Sequence, residues 1–180
     1  PAFAEAPLPA DAREALSQPL PGLSAEESER FRRGRSLFRQ SWVVAPAADS
    51  EVDGLGPLYN RLACISCHAK NGRGGAPAEP GQRMQSMLVR LSVPGRDPHG
   101  GPQPHPAYGD QLNEEGIPGV PGEGRAEMHW RESRVTLAGG ETAILRTPRL
   151  RFVDLAYGPL ANALASPRVS PHVAGLGLLA

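Results

Sequence analysis

Net charge is absent from this chain. Nineteen lysines and arginines balance nineteen aspartates and glutamates. No basic excess remains of the kind that nucleic-acid binding requires. Long apolar runs are missing too. The stretches "WVVAPAA" and "VAGLGLLA" fall far below the roughly 20 residues that a helix needs to cross a bilayer. Pro1 is not followed by a basic segment and an apolar one, so no signal peptide is visible. The chain reads as the mature product of an exported precursor or as a trimmed piece. Aromatic residues make up 5% and cysteines number two, so a disulfide-stapled scaffold is excluded.

What the chain does have is glycine and proline, 21 and 20 of its 180 residues. Wholesale disorder does not follow, because charge is modest and several segments keep clear apolar periodicity. The expectation is a domain rich in irregular loops that gains from an internal cofactor as part of its core. Residues 1–23 read as an extended arm with one helical turn around Ala10–Leu16. Ser24 and Glu27 form a capping box, with acidic residues first and arginines later, and predict a helix over 25–39. A short helix is expected around Pro57–Ala63, running into Cys64. "MQSMLVRLSVPG" predicts a strand over about 84–93, ended by Pro94 and Gly95. Strands follow at about 125–130, 133–138, 142–146 and 150–154, with a hairpin turn at 138–140. The tail reads as turn, short helix and loop.

The chemistry concentrates in "CISCHAKNGRGG" (64–75). Cys64, Cys67 and His68 admit three readings. A plain disulfide or redox pair wants the dithiol at a helix start in a βαβ context, and neither a leading strand nor a parallel α/β pattern is present. A zinc site would take the two thiolates and two histidines such as His99 and His105. The third reading is covalent attachment of one haem c. Two cysteines three apart share one helical face and meet two vinyl groups. The next residue, His68, becomes the proximal iron ligand, its other ring N–H held by a backbone carbonyl. The pattern favours haem, which implies maturation outside the cytoplasm.

The sixth iron position has several candidates: His105, His129 and His172, with His99, Met84, Met87 and Met128 behind them. Met84 and Met87 read better as core. An open position would permit peroxide chemistry, which needs a base and a positive partner. Glu114, Glu115 and Glu123 are candidate bases, and Arg73, Arg90 and Arg125 candidate cations. Arg90 interrupts the apolar run "MLVRLSV" and is the first choice to bind a haem propionate.

These residues sit among others that resemble one family. "DGLGPLYN" (53–60), "CISCHAKNGRGG" (64–75), "LVRLSVPG" (88–95), "PAYGDQLN" (106–113), "GVPGEG" (119–124), "LRTPRL" (145–150), "YGPL" (157–160), "SPRVSP" (166–171) and "GLGLL" (175–179) are similar, in order, to segments of the bacterial di-haem oxidoreductases. That family is also called thiol oxidoreductases and is distantly related to di-haem cytochrome c peroxidases. The resemblance implies a mainly α, cytochrome c-like haem domain over 24–180 with long Gly/Pro-rich loops and a small antiparallel β insertion at about 84–154. It places Cys64, Cys67 and His68 at the first haem site. The family carries a second C-x-x-C-H, which this sequence lacks. The expected function is therefore a c-type haem redox module, an electron carrier or the peroxidase-like half of a di-haem enzyme. The alternative is a haem-containing structural subunit of a larger redox assembly. The expected partners are an electron donor or acceptor protein and a second haem domain or subunit. The expected location is the periplasm or another exported compartment.

Overall fold

The computed structural model describes residues 12–175. Most of the N-terminal arm and the "GLGLL" segment beyond Gly175 lie outside the described residues. The chain folds as two compact units. One comprises the chain up to Gly56, Arg61–Gly74 and the chain from Val169. The other comprises Pro57–Asn60 and Gly75–Arg168.

In the first unit a 3-10 turn spans Ala12–Ser17, and helix α1 spans Ala25–Arg39 as the capping box predicts. Ser24 Oγ accepts from the Glu27 N–H at 3.2 Å, and the Glu27 carboxylate accepts from the Ser24 N–H at 2.7 Å. The backbone bond from Ser24 holds the Glu27 carboxyl below the usual carboxylate range. No residue of α1 is buried. Two further 3-10 turns, Cys64–Ser66 and Ala69–Asn71, follow. Of the described apolar residues in this unit only Ala63 is buried.

The second unit holds the strands and the apolar core. Strand β1 (Leu58–Tyr59) pairs antiparallel with β4 (Glu115–Gly116). Strand β2 (Met87–Arg96) lies between β3 (Pro102–Gln103) and β7 (Leu164–Val169). Strands β5 (Arg125–Thr136) and β6 (Thr142–Val153) form a ribbon paired from Arg125↔Val153 to Thr136↔Thr142 without a slip. Along β2, Met87, Val89 and Leu91 point inward, as a half-buried strand requires. They join Met84, Tyr108, Leu112, Ala126 and Met128 as the core.

The mainly α expectation is overturned. Among the described residues there is one α-helix against seven strands in three small antiparallel sheets. The helix expected at Pro57–Ala63 is instead a strand, because Leu58 and Tyr59 find ladder partners and the Asn60 amide donates to the Leu112 carbonyl at 3.0 Å. The tail helix is strand β7. Strand β2 does not stop at Pro94: it continues to Arg96 through an irregularity in its pairing with β3 between Val93 and Arg96, a bulge where proline's missing N–H is tolerated. The two strands expected over 125–138 are one. The turn at 138–140 stands as expected, with the Gly140 N–H donating to the Leu137 carbonyl at 2.9 Å and Gly140 at φ +84°.

Candidate functional site

The cysteine–histidine segment begins where the Cys64 carbonyl accepts from the Cys67 N–H at 3.2 Å and from the His68 N–H at 3.1 Å. The turn is 3-10 rather than the α-helix that the face argument assumed. In 3-10 geometry residues i and i+3 eclipse, so Cys64 and Cys67 still share one side. Neither cysteine forms a disulfide; Cys64 is exposed and Cys67 half-buried. Lys70 and Asn71 adopt left-handed backbone, φ 57° and 59°, and this reversal stops the turn from lengthening into a helix.

The reversal is tied down by side chains and by the chain's far end. The Asn71 amide donates to the Leu16 carbonyl at 3.0 Å. The Val173 N–H donates to the Asn71 carbonyl at 3.0 Å, and the Gly74 N–H to the Ser170 carbonyl at 2.9 Å. Ser170 Oγ donates to the Cys67 carbonyl at 2.7 Å. His68 Nδ1 lies 2.7 Å from the Pro171 carbonyl oxygen. A carbonyl can only accept, so Nδ1 carries a proton and Nε2 is the ring nitrogen left to meet a ligand. The ring of Phe38 on α1 stands 6.1 Å from the His68 ring, tilted at 57°.

Haem fits this donor set. Two cysteines share one side of a turn, and an imidazole is oriented through its Nδ1, which leaves Nε2 to face a ligand. The same unit exposes Leu37, Trp42, Val43, Val44 and Leu62. The zinc alternative has no support from the side chains. Among the described residues no three His, Cys, Asp or Glu gather.

The other sequence candidates are dispersed. His172 and Arg73 lie in the cysteine unit, both exposed. His99, His105, His129 and the three methionines lie in the other unit. His99 is in an exposed turn, its N–H bonded to Asp97. His105 is buried; its Nδ1 accepts from the Ala107 N–H at 3.2 Å and its ring packs on Tyr108. His129 Nε2 is 3.7 Å from the Glu127 carboxylate on the ribbon. Met84, Met87 and Met128 are core residues. Arg90 occupies the exposed face of β2 and pairs with Asp110. Its place in an apolar run follows from strand alternation and gives no sign of a buried partner. Arg125 pairs with Asp154 at 2.7 Å. Glu114 and Glu115 both bind Arg83, which the sequence reading did not single out. Glu123 is buried, 5% exposed. It accepts from the Asn113 backbone N–H at 2.6 Å and the Asn113 amide at 3.2 Å, and burial pushes its carboxyl above the usual range.

Ser170 and Pro171 were missed as site residues. They lie in "SPRVSP", more than a hundred positions from the cysteines, where no local pattern links them to His68. No curated protein and no solved structure matches the chain. A family profile does: "Di-haem oxidoreductase, putative peroxidase" matches residues 9–173. This chain belongs to the di-haem oxidoreductase family.

Proposed function

We propose that this chain is a c-type haem redox module working in an exported compartment such as the periplasm. Family membership supports oxidoreductase chemistry. The observation that carries the finer reading is the His68–Pro171 bond beside two cysteines that form no disulfide. Cys64 and Cys67 would hold the haem covalently through their sulfurs. His68 would bind the iron through Nε2, and the Pro171 carbonyl, by accepting from Nδ1, would keep the ring oriented and electron-rich. When bound, haem supplies one-electron cycling of its iron. Phe38 stands beside the imidazole, its ring 6.1 Å away. Protein electron donors or acceptors, and a second haem domain or subunit, are the partners this reading calls for.

The test is expression with the bacterial c-type maturation machinery and export. The intact mass should rise by one haem, and Cys64→Ala with Cys67→Ala should abolish the rise. An unchanged mass in the native chain refutes the reading. The ferric absorption spectrum with and without peroxide then separates the two forms of the module. A peroxide-induced change marks the peroxidase-like enzyme, and an unchanged low-spin spectrum marks the electron carrier.

A further inference from the structure

The β5–β6 ribbon is twelve pairs long, and neither strand has a second neighbour among the described residues. Residues 131–142 and 144–149 are exposed throughout. A two-stranded ribbon is marginal in water by itself and leaves both backbone edges open to pairing. Strand alternation fixes what each face shows. One face carries Ala126 and Met128 into the core. On the other, the register sets Glu127 opposite Arg151, His129 opposite Arg149 and Arg131 opposite Thr147. With Arg125, opposite Val153, four arginines share this face with one carboxylate, Glu127; Arg125 is paired with Asp154, Glu127 lies 3.8 Å from Arg151, and Arg131 and Arg149 stand nearer the tip. Toward the tip Val135, Leu137, Ile144 and Leu145 are exposed by 37% to 60%.

We propose that this ribbon docks an acidic, partly apolar protein segment, which adds as a strand along an open edge and sets carboxylates against Arg131, Arg149 and Arg151. Charge complementarity commits the choice. A second copy of the same ribbon would bring like charges together, which disfavours pairing. A sulfated or phosphorylated polymer would satisfy the arginines and leave the apolar tip uncovered. Arginine forks suit bidentate carboxylate contacts, and main-chain hydrogen bonds with alternate side chains give strand addition its affinity and specificity. The inference concerns the ribbon alone and does not depend on what the cysteines bind.

The probe is a synthetic ten-residue peptide of alternating glutamate and valine, added to the full chain and followed by amide hydrogen exchange and fluorescence anisotropy. Slowed exchange within 131–136 or 142–149 is expected. Affinity should fall with added salt, and by about tenfold in the double variant Arg131→Glu, Arg149→Glu, as loss of complementary rim charge implies. Both positions are exposed, and an unchanged circular dichroism spectrum establishes that the variant folds. The salt dependence of the unaltered chain is a second, independent reading. The proposal is overturned by peptide protection elsewhere than the ribbon, by no binding, by a heparin fragment binding as tightly as the peptide, or by ribbon protection that appears without peptide as chain concentration rises.

Discussion

Replacing Glu123 by alanine should destabilise the fold, and the reason can be worked from two hydrogen bonds. The Glu123 side chain is almost wholly buried and accepts from the Asn113 backbone N–H at 2.6 Å and the Asn113 amide at 3.2 Å. Alanine leaves the backbone donor in a part-buried place without an acceptor. That loss costs about 1–3 kcal/mol, or a fall in midpoint of about 2–12 °C for a chain of this size. Glu123→Gln keeps an acceptor and should cost less. It should also change the pH response. Burial raises the Glu123 carboxyl, so its folded-state pKa lies above its unfolded one. Stability from this group is complete below the unfolded pKa and is lost as pH rises through the folded pKa. Glu123→Gln removes that decline. Thermal melts by circular dichroism across pH 4–8 measure both effects. An unchanged midpoint in Glu123→Ala, or an unaltered pH slope in Glu123→Gln, would refute the reasoning.

Ser24→Ala should remove one half of the α1 capping box and cost about 1 kcal/mol, read as increased amide exchange in the first turn of α1 with the ribbon unaffected. Gly122→Ala should disrupt the 113–123 loop, because a Cβ there collides with the Glu114 carbonyl oxygen; loss of Arg83–Glu114 pairing, seen as raised exchange around residues 113–117, is the readout. Gly139→Ala, where the added Cβ meets nothing within 4 Å, should melt within about 0.5 kcal/mol of the parent, which makes it the control for Gly122.

The helix at 25–39 and the hairpin turn at 138–140 were legible because their signals are local. Ser24 and Glu27 are three residues apart, and Ala138-Gly139-Gly140 supplies its own left-handed glycine. The exposure of Arg90 was hidden because an apolar run conceals period-two alternation until the buried members, Met87, Val89 and Leu91, are known. Leu58 and Tyr59 read as helix because their ladder partners lie more than fifty residues away. The mainly α expectation came from resemblance to a cytochrome c-like core rather than from periodicity, and the short strands β1, β3 and β4 carry too few residues to announce themselves. In the site, Cys64, Cys67 and His68 are contiguous and were read directly. Ser170 and Pro171 act through a hydroxyl and a main-chain carbonyl, and a carbonyl has no residue-type signature at all.

The clamp on His68 also has a direction in time. Synthesis runs from the amino end, so the thiols emerge about a hundred residues before the carbonyl that orients the neighbouring imidazole. Any nascent or proteolysed chain ending short of Pro171 therefore presents both sulfur nucleophiles with a ring still able to exchange tautomers and rotate. The sulfurs of such a chain are in place early, whereas the hold on the ring arrives only with Pro171, two residues beyond β7.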